Sequence, residues 1–408
     1  MEKKKRNKRK KWLKFRHKIV TALLFLILYP YIRIRYKIKI ERFKDEKKRN
    51  YLILMNHQTA FDQFFVSLSF LKPIYYVATE DIFSLGWISS VIKYLVAPIP
   101  IKKQTTDLTA VMTCIRVGKE GGSVAIAPEG NRTYSGKTEY MNPVISSLAK
   151  KMKLPIVLYR IEGGYGSEPR WGHKVRKGRV HAYVSRVIEP CEYESMTDEE
   201  LFSVIQQGLY VNEAESSELY YSKKSAEYLE RAIYVCPDCG LSSFYSKGDT
   251  VTCLRCQKKV RYGADKRLTV DAGGFPFTYV NDWYEYQKAF INRLDLSKYR
   301  EVAAFTDITM LSEVVVYKKK YKLRKSASVS LYGDRIVIDE GKENEMILPF
   351  SEVSALAVLG RNKANIYHGK QVFQLKGDKR FNALKDVNFY YRYKNIESGE
   401  LNGEFLGI

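Results

Sequence analysis

The segment from Tyr51 to Asp62, YLILMNHQTAFD, decides how the chain reads. Its first five residues form an unbroken apolar run, the pattern of a short strand buried on both faces. Around and beyond Asp62, the residues Phe61, Phe64, Phe65, Leu68 and Leu71 recur at helical spacing, and Pro73 ends that helix. Asn56-His57 therefore falls where a strand gives way to a helix. Residues five apart do not share a face of a regular helix. They converge if the histidine lies in the turn and the carboxylate in the first helical turn. A carboxylate set against an imidazole selects its tautomer and stabilises its protonated form, the general-base half of a catalytic triad. A plain structural reading stands beside this one. Asp62 suits a helix N-terminus, and His57 suits a hydrogen-bonded turn.

Working outward, the runs IYYVAT (74–79), SVAIAP (123–128), LPIVLYRIE (154–162) and GRVHAYVSRVIEP (178–190) read as strands. They alternate with helical stretches at 85–97, 107–119 and near 143–152. This alternation predicts an α/β domain over 46–195, a mixed sheet flanked by helices. No activated serine accompanies His57. GGSVA (121–125) lacks the last glycine of G-x-S-x-G, and GGYG (163–166) has no phosphate-loop spacing. A base at His57 would act on a hydroxyl carried by the substrate.

The chain has 408 residues, enough for two or three domains, and a formal net charge of +24. Residues 1–50 hold 20 Lys/Arg against 4 Asp/Glu, so most of the excess lies there. Such a run suits an anionic partner, either nucleic acid or an acidic membrane surface; a solvated tail is the bland alternative. The apolar stretch 19–32, IVTALLFLILYPYI, adjoins it. As a helix it would reach roughly 21 Å, short of a hydrocarbon core of about 30 Å. Basic residues on both flanks fit a segment that enters one leaflet and returns, with Trp12, Tyr29 and Tyr31 at the interface. No small-residue cleavage site follows, which argues against a cleaved signal; a buried structural helix stays open. The expectation is a membrane-associating helix within 1–45, resting on anionic lipid.

The motifs in order resemble the glycerophospholipid acyltransferases, the 1-acylglycerol-3-phosphate acyltransferase family. NHQTAFD matches its N-H-x4-D block, and APEGNRT (127–133) its P-E-G-T-R block, with Pro128, Glu129, Gly130 and Arg132 in place and Asn131 substituted. PIPIKKQTTD resembles the block that ends in arginine, with Lys103 at that position; lysine keeps the charge but not the planar fork. LPIVLY (154–159) resembles the fourth block. The resemblance covers roughly 20–195. It implies transfer of a fatty acyl group from a thioester to a glycerol hydroxyl, with His57 as base and Asp62 as its orienter. It further implies that Arg132 and Lys103 hold the acceptor phosphate, helped by Glu129 and Gly130. The expected acceptor is 1-acyl-glycerol-3-phosphate, giving phosphatidic acid. The donor is acyl-CoA or acyl-carrier protein. Another lysolipid or glycolipid acceptor, or a lipid-binding scaffold without turnover, remains an alternative. The expected location is the cytoplasmic face of the cell membrane, peripheral or monotopic.

A second constellation follows a connector, 196–232, that reads as helical with SAEYLERAIYV its surest piece. Cys236, Cys239, Cys253 and Cys256 form two C-x2-C knuckles separated by thirteen residues. That spacing lets four thiolates converge on Zn²⁺, as in a zinc ribbon over 233–265 with structural zinc as cofactor. Two disulfides are the alternative. Four protein ligands leave no open position for catalysis. Cys114 and Cys191 have no such spacing and read as buried residues. The basic run borders the apolar stretch and not the ribbon, so nucleic acid is not the expected partner. The module 266–408 becomes β-rich from about 326 and ends in a helix, vaguely resembling a pleckstrin-homology or GRAM-type fold.

Overall fold

The computed structural model describes residues 11–44, 48–101, 107–400 and 402–405. Helix α1 (Phe15–Tyr36) leads into the first strand of a seven-stranded sheet. The strands are β1 (Ile38–Ile40), β2 (Leu52–Met55), β3 (Ile74–Thr79), β4 (Ile99–Ile101), β5 (Ser123–Ile126), β6 (Ile156–Glu162) and β7 (Val180–Ile188). Their order is β1-β7-β6-β2-β5-β3-β4, parallel throughout except for the antiparallel β6–β7 pair. The helices α2 (Asp62–Phe70), α3 (Trp87–Val96), α4 (Leu108–Lys119) and α5 (Val144–Met152) connect these strands or follow them.

β2 sits in the middle and is buried on both faces, as its apolar run requires. Leu52 and Leu54 point into one core with Cys114 and Val117 of α4 and Ile145 and Leu148 of α5. Ile53 and Met55 point into the other, with Phe65 and Leu68 of α2 and Ile32 and Tyr36 of α1. α4 starts where Asp107 accepts the Ala110 N–H at 3.1 Å. α2 stops at Leu71, which takes φ +53° two residues before Pro73.

Three expectations need correction. The apolar stretch 19–32 lies inside a longer helix of 22 residues, which at 1.5 Å per residue reaches about 33 Å. By length and composition it can cross a membrane. Yet both of its ends are fastened to the same domain. At the start, Trp12 Nε1 donates to Ala97 O (3.1 Å) and His17 Nδ1 meets Tyr75 Oη (3.0 Å); at the end, Tyr36 Oη donates to Glu168 Oε2 (2.6 Å). The helix lies along the domain, and its next residues supply the edge strand β1. Second, the connector is α-helical only over Asp198–Leu209. SAEYLERAIYV forms no α-helix, because Tyr228 takes φ +74° and Ala226, Leu229, Ala232 and Ile233 are buried on all sides between neighbouring elements. Third, β structure in the last module starts at Phe305, before position 326.

The two C-x2-C knuckles sit on short strands, Val235–Cys236 with Gly240–Leu241, and a four-stranded sheet running from Phe244–Lys247 to Leu268–Thr269. A helix, Val280–Asn292, then leads to an antiparallel seven-stranded curled sheet closed by the helix Ala383–Ser398. The ribbon, this sheet and the loop bearing Tyr165 and Trp171 share one hydrophobic core. Charged tethers add to it. Arg231 Nη1 donates to Trp171 O (2.9 Å), Arg361 pairs with Glu168 (2.8 Å), and Lys320 pairs with Asp81.

Candidate active site

β2 and β5 are parallel neighbours, so the loops leaving their C-terminal ends meet on one edge of the sheet. This brings NHQTAFD against PEGNR. The His57 N–H donates to Glu129 Oε1 (2.9 Å), and the Thr133 N–H to His57 O (3.2 Å). His57 Nδ1 meets Asp62 Oδ2 at 2.8 Å. Asp62 is fully buried and ringed by donors. The Gln58 N–H reaches Oδ2 at 2.6 Å, while the Thr59 N–H (2.9 Å) and hydroxyl (2.6 Å) reach Oδ1. A carboxylate so placed acts as acceptor, so Nδ1 carries the imidazole proton and Nε2 keeps its lone pair. Asp62 is both the opening acid of α2 and the partner of His57; the two sequence readings coexist. Thr59 lies inside the quoted motif, but nothing in its spacing marks it as a support of Asp62.

Gly163-Gly164-Tyr165-Gly166 packs against the His57 loop. A Cβ on Gly164 would lie 2.5 Å from Gln58 Cβ, and Tyr165 N–H donates to Gln58 Oε1 (2.9 Å). The glycine permits close approach of this segment to the His57 loop.

The Glu129 carboxylate turns inward. It accepts from His57 N–H through one oxygen and from Glu139 N–H (3.0 Å) through the other, and burial pushes its pKa up to about 8 despite these donors. Gly130 takes φ +70°, which a side chain rarely adopts, and its N–H closes a turn on Ala127 O (3.0 Å). Arg132 differs from both. Its Nη1 is buried with no hydrogen-bond partner among the described residues, and burial lowers its pKa to about 10, still a cation at neutral pH. Arg170 backs it, donating to Arg132 O (3.0 Å) and to Asn131 Oδ1 (3.4 Å). The nearby Glu168 carboxylate is engaged elsewhere, by Tyr36 and by Arg361 from the C-terminal sheet. Arg132 is therefore a desolvated cation with a free donor. Arg170 and Arg361 lie outside every motif, and only the fold brings them here. Lys103 lies outside the described residues.

His57, Glu129, Gly130 and Arg132 all line a cavity of about 1230 Å³. Leu24 and Leu28 of α1, Ile92 of α3, Val111 of α4 and Leu148 of α5 give it apolar lining. Leu359 and Gly360 of the C-terminal sheet line it beside Arg170.

The Sγ atoms of Cys236, Cys239, Cys253 and Cys256 all lie within 4.8 Å of one another, with Cys236 and Cys256 at 3.7 Å. Four thiolates about 2.3 Å from a central zinc would sit roughly 3.8 Å apart, whereas a disulfide needs about 2.05 Å. The donor set fits a closed structural zinc site. Cys114 is buried as expected, but Cys191 is exposed.

A strand-to-helix His–Asp pair thus lines one cavity with Arg132, Arg170 and a set of apolar side chains, where the imidazole can act as base on a bound hydroxyl. In comparison with known proteins, residues 34–162 match the acyltransferase family model. The 1-acyl-sn-glycerol-3-phosphate acyltransferase of Bacillus subtilis (strain 168) is 24% identical over 137 residues, which is 33% of this chain and 65% of that protein. Among solved structures, the 1-acyl-sn-glycerophosphate (LPA) acyltransferase PlsC from Thermotoga maritima is similar at 20% identity and a TM-score of 0.37, over 47% of this chain and 75% of that one. The ribbon and the C-terminal sheet lie outside the family match.

Proposed function

We propose that the protein transfers a fatty acyl group from a thioester to the free hydroxyl of 1-acyl-glycerol-3-phosphate, forming phosphatidic acid. The observation that carries this reading is the His57–Asp62 pair at 2.8 Å, in the same cavity as the unpaired Nη1 of Arg132. His57 Nε2 takes the proton of the acceptor hydroxyl as its oxygen bonds to the thioester carbonyl carbon. The carbon–sulfur bond breaks, and the imidazolium returns the proton to the departing thiolate. Asp62 holds the ring and stabilises its charged form. Arg132, backed by Arg170, binds the acceptor phosphate, and Lys103 adds charge; Glu129 and Gly130 shape the loop that presents Arg132. The apolar cavity takes an acyl chain. Coenzyme A and acyl-carrier protein are both donors to test.

α1 exposes Phe15, Leu23, Leu26, Ile27 and Ile34, each more than half accessible, along the side turned away from the domain. This face rests in one leaflet of the membrane at the cytoplasmic side, with the basic N-terminal run on anionic headgroups. The four cysteines hold zinc through Cys236, Cys239, Cys253 and Cys256; the metal supplies a rigid crosslink within the shared core and no chemistry. Purified protein is assayed for acyl transfer to lysophosphatidic acid from each donor. Turnover should appear with wild type and vanish with His57→Ala. Equal turnover in both would remove His57 from the mechanism.

A further inference from the structure

The C-terminal sheet carries a hairpin whose composition the acyl-transfer site does not explain. Its strands are Phe305–Val315 and Lys319–Leu331. Positions 315–325, VVYKKKYKLRK, hold six Lys/Arg and no Asp/Glu. Two of the six turn inward, Lys320 to Asp81 and Arg324 to Asp339 (2.7 Å). Lys318, Lys319, Lys322 and Lys325 are exposed, and none forms an ion pair among the described residues. Between them Tyr317, Tyr321 and Leu323 also face solvent, at 37%, 45% and 45% accessibility. Exposed rings and a leucine interleaved with lysines offer apolar and cationic groups together, the combination an anionic interface takes.

The tip is also fixed in place. Tyr317 N–H donates to Ser84 Oγ (3.2 Å), Gly86 N–H donates to Lys318 O (3.3 Å), and the Phe83 and Tyr317 rings meet edge to face at 6.1 Å. One residue past Gly86, α3 begins and exposes Trp87, Ile88, Val91 and Tyr94. α3 in turn adjoins α1, where Arg16 Nε donates to Tyr94 O (2.8 Å). An exposed apolar band from α1 through α3 thus continues into a rim of lysines and tyrosines that belongs to a different module.

We propose that the hairpin tip, residues 316–325, is a second docking surface, which binds an anionic bilayer together with the exposed face of α3. Trp87 and the tyrosines sit at headgroup level while the lysines meet lipid phosphates. A nucleic acid would use the lysines but would leave the adjoining Trp87, Ile88 and Val91 uncovered. The inference extends the membrane placement of α1 and does not depend on acyl transfer. Because Asp81, Ile82 and Leu85 line the cavity and Lys320 holds Asp81, docking here steadies one wall of the cavity against the membrane.

The test is vesicle flotation of the full chain on phosphatidylcholine alone and on phosphatidylcholine mixed with phosphatidylglycerol. The triple variant Lys318→Glu/Lys319→Glu/Lys322→Glu should weaken binding to the anionic vesicles by at least about tenfold, more at low salt. Its binding to neutral vesicles, which reports α1, should stay unchanged. Lys223→Glu/Lys247→Glu/Lys259→Glu changes net charge equally on the ribbon side and should cost less than about twofold. Equal losses in the two triple variants would reduce the effect to bulk charge and overturn the proposal. So would RNA displacing the anionic vesicles from the wild-type tip. A second measurement does not need the charge variants to fold. Brominated lipid should quench wild-type fluorescence more than that of Trp87→Phe. Identical quenching would show that the α3 edge stays out of the membrane.

Discussion

Replacing Asp62 by asparagine separates its two tasks. The carboxylate serves four donor groups: His57 Nδ1, and three from Gln58 and Thr59. An asparagine keeps one acceptor oxygen. If that oxygen stays toward His57 and Gln58, the new amide nitrogen faces the Thr59 N–H, and only the Thr59 hydroxyl can rotate to accept from it. Hydrogen bonds to a charged partner contribute roughly 1.5–3 kcal/mol, so losing the charge and one bond should lower stability by about 2–4 kcal/mol. If the amide flips instead, its nitrogen donates to His57 Nδ1 and forces the proton onto Nε2, the wrong tautomer for a base. Either way, turnover should fall by about 10³–10⁴, or roughly 4–5.5 kcal/mol of barrier. Thr59→Val is the control. It removes one bond to Asp62 and leaves the His57 contact, so it should cost about 1–2 kcal/mol of stability with turnover largely kept. The assay pairs denaturant melts with acyl transfer to lysophosphatidic acid under saturating donor. An Asp62→Asn protein that turns over within about threefold of wild type, while His57→Ala is inactive, would refute the orienting role. So would Thr59→Val and Asp62→Asn losing turnover in parallel.

Other outcomes follow from the same geometry. Arg361→Ala frees the Glu168 carboxylate to draw Arg132 away from substrate, so KM for lysophosphatidic acid should rise by about tenfold with kcat nearly unchanged; a phosphate-free monoacylglycerol acceptor should not feel the change. Protein prepared with zinc should hold one ion per chain by elemental analysis, and Cys239→Ser or a strong chelator should lower the melting temperature of the ribbon and the C-terminal sheet together, because they share one core. Asp386 is buried with Oδ2 unpartnered, and burial raises its pKa to about 8. The folded state therefore binds a proton that the unfolded chain has already released. Stability should decline by at most about 1.4 kcal/mol per pH unit as pH rises from roughly 4 to 8, then level off. Asp386→Asn should flatten that slope in melts recorded at successive pH values.

The α/β half was legible because its signals are local. A five-residue apolar run such as YLILM has strand length, and a strand followed by apolar residues at helical spacing places His57 and Asp62 in one turn. The C-x2-C pairs are local for the same reason. SAEYLERAIYV shows where local reasoning fails. Its residues favour a helix, but burial on every side offers more than the helical ladder, and the segment gives up the helix to fill space between domains. The apolar stretch 19–32 marked a helix and its greasy face, but its length and its course along the domain depend on contacts with Ala97, Tyr75 and Glu168, up to 132 residues away.

By itself the sequence determined the strand–turn–helix that holds the His–Asp pair, the four-thiol cluster and the apolar, basic character of the first fifty residues, since each depends on spacing within a short window. Only the tertiary structure decided that Arg170 and Arg361 stand beside Arg132, that Glu168 is kept occupied, and that a lysine-rich hairpin continues the apolar edge of α3. Those groups are separated by scores or hundreds of residues, and long-range packing, which no local period encodes, is what brings their charges into one electrostatic neighbourhood.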